Sequence, residues 1–227
     1  MSRPKTSKSE PTGDHKASTL VLLVRHGATA TTGKVLPGRA SGLHLSEEGH
    51  TQADAAAQRI AALHNGKERR VAAVYASPLE RTQETANRIA VAVGQDVRTE
   101  LGLLEVDTGE WTGLEFKAAQ EHPEWATIQR YPSGFRFPGG ESFVEMQSRI
   151  VDTVDRLRSA HPDEVVVAVS HADPIRALVA HALGTHLDLF QRILVSPGSV
   201  TAVAYGSSGP AVLTVNATHD GRAFASA

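Results

Sequence analysis

A buried strand that ends in chemically useful side chains is predicted by the stretch Leu20-Val21-Leu22-Leu23-Val24-Arg25-His26-Gly27. Its aliphatic residues are typical of a strand that is covered on both faces. Because ligands of open α/β sheets bind beyond the carboxyl ends of the strands, we expect a functional site at Arg25 and His26. A guanidinium can hold an anion with two hydrogen bonds, and an imidazole can act as a nucleophile or a proton carrier. The same tripeptide could also end a strand without any function, so it decides nothing alone.

Composition limits the classes of protein to which this chain can belong. Its 227 residues, 41% of them hydrophobic, suit one domain with a sizeable core. Lys and Arg number 23 and Asp and Glu 25, giving a net charge of -2, which argues against nucleic acid or an acidic membrane as the main partner. Cysteine is absent, which excludes disulfides, thiolate metal sites and cysteine nucleophiles. The first aliphatic run is too short for a secretory signal or a membrane span, so we expect a cytoplasmic protein.

The chain is predicted to form one folded domain between two tails. Residues 1–18 are rich in Ser, Lys, Pro and Thr and are expected to be a disordered tail. Residues 19–216 are expected to form the domain, and residues 217–227 a C-terminal tail. Ser46 predicts the start of a helix that ends at Asn65-Gly66.

Strands alternate with helices in the rest of the pattern. This alternation predicts an α/β fold with a mostly parallel central sheet flanked by helices on both faces. After the first strand and helix, strands are predicted at 71–76, 96–98, 165–169, 199–205 and 211–215, and helices at about 80–93, 115–122, 143–157 and 175–183.

Polar residues follow three of the predicted strands. Arg25 and His26 end the first, Arg81 lies shortly after the second, and His171 follows the strand at 165–169. Because the carboxyl ends of parallel strands share one edge of a sheet, we expect these four side chains to meet there. Taken singly, Arg81 could be a solvated helix charge and His171 a hydrogen-bonded core histidine.

Five segments form a recognisable series along the chain: Arg25-His26-Gly27-Ala28-Thr29, Ser77 to Ala86, Leu104-Glu105 with Gly109 to Gly113, Phe137 to Ser142, and Val169 to Ala172. Together they resemble the motifs of the histidine phosphatase superfamily, also called the phosphoglycerate-mutase-like family, in the family's own order from about Leu20 to Val215. The segment 181–193 is further similar to a branch whose members are named phosphomutases, a name rather than a demonstrated activity.

The loop after the first strand departs from the family pattern. Ala28 replaces the usual Glu, Thr32 the usual Asn, and Pro37 a frequent Gln. Those side chains commonly help to hold the phosphoryl group or the substrate, so the departures bear on substrate identity. We assign Thr32 and Gly38 of this loop to substrate binding.

The resemblance implies a two-step phosphoryl transfer. A neutral His26 would attack phosphorus and form a phosphohistidine. Arg25, Arg81, a protonated His171 and the backbone N–H groups that follow Ala172 would hold the phosphoryl oxygens. Glu105 would protonate the leaving oxygen, which requires a raised pKa.

The assignment of the acid leaves alternatives open. Glu105 could instead cap a turn or pair with an arginine, and Asp107 and Glu110 are close competitors for its role.

Other charged residues are expected to lie outside this chemistry. Lys117, Arg130 and Arg136 could meet a second anionic group, although a solvated surface is the favoured interpretation. The histidines His44, His50, His181 and His186 show no metal-binding spacing, and we predict neither a metal nor a cofactor.

Three activities fit the pattern. The preferred one is hydrolysis of small phosphomonoesters, with a small phosphorylated metabolite as the only partner expected. A phosphomutase is the first alternative, but mutases of this family usually carry longer insertions that exclude water. A non-catalytic protein that binds a phosphorylated ligand is the second. The oligomeric state and the physiological substrate are left open.

Overall fold

The computed structural model describes residues 18–64 and 70–218 of the chain. Three predictions therefore lie outside the described residues: the N-terminal tail up to residue 17, the helix end at Asn65-Gly66, and the C-terminal tail from residue 219.

The core of the fold is a six-stranded sheet with the order β3-β2-β4-β1-β5-β6. The four strands from β3 to β1 run parallel, and β5 and β6 continue the sheet in antiparallel pairs. The predicted α/β class and mostly parallel sheet are thereby confirmed. The last strand continues one residue beyond the domain end expected at 216. The strands are β1 (Thr19–Arg25), β2 (Val71–Ala76), β3 (Val97–Thr99), β4 (Val165–Ser170), β5 (Val200–Gly206) and β6 (Gly209–Ala217).

Within the described residues, six α-helices surround the sheet. Five of them match helices predicted from the sequence, including α3, which lies within the predicted 115–122. One short helix, α4, was not predicted from the sequence. The helices are α1 (Glu47–His64), α2 (Glu80–Val93), α3 (Phe116–Glu121), α4 (Trp125–Arg130), α5 (Phe143–Ala160) and α6 (Ala172–Ala182).

Strand β1 is buried on both faces because successive side chains point to opposite sides. Leu20, Leu22 and Val24 belong to a core cluster with residues of α1 and α2. Val21 and Leu23 belong to the opposite cluster, with residues of α5 and α6. One continuous aliphatic run thus anchors both layers of helices.

A third apolar cluster, rich in aromatic residues, lies beside the sheet. Trp111, Phe135, Phe137 and Phe143 are all buried in it, with neighbouring ring centroids 5.0–6.3 Å apart. The partly exposed Trp125 of α4 packs against the same cluster. Helix α4 has six residues, too few for a stable isolated helix, so this packing accounts for it.

The ends of the helices follow their capping residues. Ser46 accepts a hydrogen bond from the N–H of Gly49, as the predicted start of α1 requires. Ser142 and Glu145 form a reciprocal capping box at the start of α5. Gly94 ends α2 in the left-handed conformation, with φ of 64°. In the part of the chain that the structure describes, no helix combines the length and hydropathy needed to cross a bilayer.

Candidate active site

The register of the sheet brings the candidate residues to one edge. In the parallel pair β1 and β4, Arg25 lies opposite Ser170, so the next residues, His26 and His171, leave the sheet side by side. Strand β2 pairs with the other edge of β4, and the segment after it supplies Ser77 and Arg81. The sequence therefore predicted the correct edge of the sheet, and the strand order explains why these residues meet.

His26 is held as one tautomer by its own backbone. Its Nδ1 lies 2.7 Å from the carbonyl oxygen of Gly27. Because a carbonyl only accepts, Nδ1 carries the proton and the neutral ring keeps its lone pair on Nε2. Burial, reinforced by the positive charges of Arg25 and Arg81, holds the pKa of His26 well below its usual range. The imidazole is therefore neutral near pH 7, as a nucleophile must be.

His171 is fully buried, and its Nε2 lies 2.9 Å from the hydroxyl of Ser77. Burial first, and then the charges of Arg81, His26 and Arg25, hold the pKa of His171 well below its usual range. From the sequence we expect a protonated His171 around a bound phosphoryl group; without an anion, the lowered pKa favours the neutral imidazole. Two guanidiniums and a second imidazole disfavour another positive charge unless an anion compensates it.

The two arginines are anchored by backbone carbonyls. Arg25 donates from Nη1 to the carbonyl of Val195 at 2.7 Å, and burial helps to lower its pKa to about 10. Arg81 is 1% exposed and donates from Nη2 to the carbonyl of Gly38 at 3.0 Å. Arg81 is therefore not a solvent-exposed charge on the surface of a helix, which was the alternative left open by the sequence. Both side chains remain cationic at neutral pH.

Three buried nitrogen atoms have no hydrogen-bond partner within residues 18–64 and 70–218: Nε of Arg25, Nε of Arg81 and Nδ1 of His171. Buried polar groups in folded proteins are nearly always hydrogen-bonded, so three exceptions at one sheet edge need an explanation. Two of these atoms are permanent donors, and His171 can donate as well. Because such atoms donate rather than accept, an anion is the class of ligand that they favour.

Glu105 is a partly buried residue whose carboxyl interacts electrostatically with both arginines. Desolvation by the surrounding protein and repulsion from Asp173 raise its pKa to about 7, against the opposing effects of the Val106 N–H, Arg81 and Arg25. A carboxyl with this pKa can give and take a proton near neutral pH. The raised pKa predicted for it from the sequence agrees with this direction.

The two competing carboxylates have other contacts. Asp107 forms an ion pair with Arg39 at 3.5 Å and accepts a hydrogen bond from the N–H of Gly109. Glu110 is exposed. Neither is among the groups whose charges act on Arg25, Arg81, His26 or His171, whereas Glu105 acts on both arginines.

The residues assigned to substrate binding contact the loop and Arg81. The Thr32 hydroxyl accepts a hydrogen bond from the N–H of Thr29 at 2.8 Å and lies 3.1 Å from the Thr29 hydroxyl. Gly38 supplies the carbonyl that orients Arg81, and a side chain there would meet the Thr108 hydroxyl. Ala172 is the first residue of α6, where backbone N–H groups lack helical partners.

The other charged candidates lie away from these groups. Lys117, Arg130 and Arg136 are exposed, and Arg136 pairs with Glu145 on the surface. Among residues 18–64 and 70–218, no three His, Cys, Asp or Glu side chains are grouped so that they could hold a metal ion.

An apolar cavity of about 250 Å³ lies at the start of α6. Aromatic side chains supply much of its wall, and Asp173 and Arg176, two and five residues after His171, supply polar groups. Arg176 is close enough for its charge to lower the pKa of Arg25. Arg25, His26, Arg81 and His171 do not line the cavity, which is related to them through the charges of Asp173 and Arg176. Its other lining residues are Leu36, Phe116, Trp125, Ile128, Gln129, Phe137, Phe143 and Gln191.

Comparison with known proteins agrees with this geometry. A sequence model of the histidine phosphatase superfamily (branch 1) matches residues 21–218. The chain belongs to this superfamily. The resemblance stated from the motifs is thereby confirmed.

Named relatives within the superfamily include phosphatases. Phosphoserine phosphatase 1 of Hydrogenobacter thermophilus is 31% identical over 211 residues, which cover 87% of this chain and 92% of the relative. The solved structure of the mycobacterial glucosyl-3-phosphoglycerate phosphatase is 26% identical with a TM-score of 0.76, and covers 88% of this chain and 100% of that one. A bifunctional protein of Mycobacterium tuberculosis is 33% identical over 215 residues, which are 91% of this chain but only 56% of the relative, so the chain spans about half of that protein.

One residue of the candidate site was not identified from the sequence. Ser77 was quoted only as part of a motif, yet it is fully buried and contacts His171 across 94 positions of sequence. Its position directly after β2 was the available signal, since the other site residues also follow strands.

Proposed function

We propose that this protein hydrolyses small phosphomonoesters through a phosphohistidine on His26. The observation that carries the proposal is the tautomer of His26, whose Nδ1 is hydrogen-bonded to a backbone carbonyl while its pKa is held low. This combination supplies a neutral nucleophile beside two guanidiniums. Family membership and the named phosphatase relatives support the same activity.

In the first step, Nε2 of His26 attacks phosphorus in line with the ester oxygen. An N–P bond forms and the P–O bond to the organic group breaks. Protonated Glu105 gives its proton to the departing oxygen, so that an alcohol leaves rather than an alkoxide. Arg25 and Arg81 stabilise the charge on the equatorial oxygens.

In the second step, water replaces the histidine on phosphorus. Glu105, now a carboxylate, takes a proton from the attacking water as the N–P bond breaks. Inorganic phosphate leaves, and His26 and Glu105 return to their starting forms. The pKa of about 7 suits Glu105 to both directions of proton transfer.

His171 is proposed to become a donor only with substrate. Its Nε2 faces the Ser77 hydroxyl, and its unpartnered Nδ1 is the atom left to meet a phosphoryl oxygen. The negative charge of a phosphomonoester opposes the effects that lower the pKa of His171. Ser77 would fix the orientation of the ring, and the N–H of Ala172 at the start of α6 would add a further donor.

The organic part of the substrate is proposed to lie in the cavity beside α6. A volume of about 250 Å³ is below the usual range for drug-sized ligands, which favours a small group. Its aromatic wall favours a partly apolar alcohol, and the ion pair between Asp173 and Arg176, at 2.9 Å, offers polar contacts at one side. The relatives named for phosphoserine and glucosyl-3-phosphoglycerate define a first panel of substrates.

A trapping experiment tests the proposal. The protein is mixed with a ³²P-labelled phosphomonoester, quenched in alkali, and examined for label that alkali preserves and acid releases. We expect labelled wild-type protein, no label on His26→Ala, and release of inorganic phosphate by the wild type alone. Unlabelled wild-type protein that still binds the ester would instead support a binding protein. Isomerised ester with little free phosphate would support a mutase.

A further inference from the structure

A second charged cluster, outside the anion-binding groups, lies against the backbone of Glu105. It consists of Arg39, Glu141 and Arg149 and is called the Glu141 cluster below. The carboxylate of Glu141 is 13% exposed and accepts from Arg149 Nε and Nη2, both at 2.9 Å. It also accepts from Arg39 Nη2 at 3.0 Å. One carboxylate therefore holds two guanidiniums in place.

Both guanidiniums of the Glu141 cluster also bind the backbone around Glu105. Arg39 donates from Nε to the Glu105 carbonyl at 2.9 Å, and Arg149 donates to the same carbonyl from Nη2 at 3.3 Å. Nη1 of Arg149 donates to the carbonyls of Gly102 and Leu104, at 2.8 and 2.9 Å. The peptide that carries the candidate acid is thus fixed mainly by arginine side chains.

The segment that carries Glu105 has no regular secondary structure of its own. It lies between two 3-10 turns, Leu101–Leu103 and Gly109–Trp111, and within the described residues it belongs to no strand. Some of its groups bond to backbone, as when the Asp107 carbonyl accepts from the N–H of Glu141 at 2.9 Å, but the carbonyls of Leu104 and Glu105 accept from arginine side chains. The Glu105 carboxyl also accepts from the N–H of the next residue, Val106, so its direction follows the local backbone.

We propose that Glu141 is a positioning residue, which acts through Arg39 and Arg149 to aim the Glu105 carboxyl at the departing oxygen. This inference rests on the proposed function, in which Glu105 is the acid. Neutralising Glu141 leaves two guanidiniums facing each other without their shared counter-ion, so both loosen their hold on the Glu105 carbonyl. Displacement of a catalytic group by about 1 Å is enough to cost about 10²-fold in rate.

The test compares two leaving groups in Glu141→Gln. Alkyl phosphates need a proton on the departing oxygen, whereas p-nitrophenyl phosphate releases an anion that is already stable. We expect kcat/KM for the alkyl phosphate to fall about 10- to 100-fold and kcat/KM for p-nitrophenyl phosphate to fall less than about 3-fold. Using kcat/KM restricts the comparison to formation of the phosphoenzyme. Glu105→Gln is the reference and should show the same selectivity, more strongly.

The matched control is Glu145→Gln, four residues further along, where the carboxylate pairs with Arg136 on the surface. It should leave both rates within about 2-fold of the wild type. If Glu141→Gln does not fold, Arg39→Lys replaces it. The Arg39 side chain is 30% exposed, so the fold should tolerate the change, and lysine keeps the charge but cannot make the paired hydrogen bonds of the guanidinium.

Two outcomes would overturn the inference: equal losses on both substrates, or no loss on either. Failure of the proposed function is a separate result, because it would appear in the wild type as hydrolysis that does not depend on His26. Selective loss in the Glu141 and Arg39 variants, with both rates retained in Glu145→Gln, is the outcome that supports it.

Discussion

The imidazole rings of His26 and His171 lie edge to face, with centroids 5.1 Å apart and planes inclined at 64°. They come from positions 145 residues apart and meet because β1 and β4 pair in parallel with Arg25 opposite Ser170. Both rings are buried beside guanidinium groups, and the pKa of each is lowered. Two neutral rings beside two cationic guanidiniums make this place electropositive, which suits an anion rather than a cation.

The two histidines predict a loss of stability in mild acid. Their native pKa values lie below those of the unfolded chain, so unfolding takes up protons once the pH falls below about 6.5. Each histidine should then contribute a loss of up to about 1.4 kcal/mol per pH unit. Urea unfolding at pH 7.5, 6 and 5 measures this slope. His26→Asn should flatten it, and an unchanged slope in that variant would contradict the assignment.

Glu105 predicts a stability effect of the opposite sign. Its native pKa of about 7 lies above the ordinary value of 4.5, so the native state binds the extra proton and stability falls as pH rises between these values. Glu105→Gln removes the penalty and should stabilise the protein by about 1–3 kcal/mol at pH 8. The gain should vanish near pH 4. Thermal melts across this range provide the check, and a gain that does not depend on pH would refute the shift.

The same carboxyl predicts how activity responds to pH. In the proposed mechanism, phosphorylation of His26 needs protonated Glu105, so kcat/KM for an alkyl phosphate should fall above pH about 7. For p-nitrophenyl phosphate the decline should be shallower, because its leaving group needs little protonation. Rate profiles from pH 5 to 9 for both substrates measure the difference. Identical alkaline limbs would argue against Glu105 as the acid.

Arg81 should be essential for phosphoryl transfer, whereas a neighbouring arginine of α2 should not. Arg81→Lys keeps the charge but loses the paired hydrogen bonds that a guanidinium can make, and we expect kcat to fall about 10²- to 10³-fold. Arg88→Lys is the matched control, since Arg88 pairs with Asp54 at the surface. Steady-state kinetics of the two variants decide the point. Comparable losses in both would contradict a specific role for Arg81.

Gly27 should be intolerant of a side chain for a structural reason. A Cβ at Gly27 would lie 2.2 Å from the carbonyl oxygen of Gly49, where α1 begins against the loop after β1. Gly27→Ala should therefore destabilise the fold by about 1–3 kcal/mol. Gly206→Ala is the control, because its nearest atom would be 3.8 Å away. Chemical denaturation compares them, and a stable Gly27→Ala would show that the helix can shift freely.

The secondary-structure elements that could be predicted from the sequence are those that depend on residues close together in the chain. Strands β1, β2 and β4 were predicted because strands covered on both faces consist of short aliphatic runs. The start of α1 was predicted from Ser46, whose hydroxyl caps the helix. Helix α4 was not predicted because its stability comes from packing against the aromatic cluster that contains Trp111 and Phe135. These contacts exist only in the folded protein.

The amino-acid sequence by itself determined the family, the α/β class and the sheet edge at which Arg25, His26, Arg81 and His171 meet, because parallel strands deliver their C-terminal residues to one place. Only the tertiary structure decided the lowered pKa of His171, the contact of Ser77 with it, and the hydrogen bonds from Arg39 and Arg149 to the Glu105 carbonyl. Those properties depend on burial and on contacts between distant segments, such as the 102 positions that separate Arg39 from Glu141. The desolvation of these side chains and their interactions with distant charges arise only when the chain folds, so no local sequence pattern encodes them.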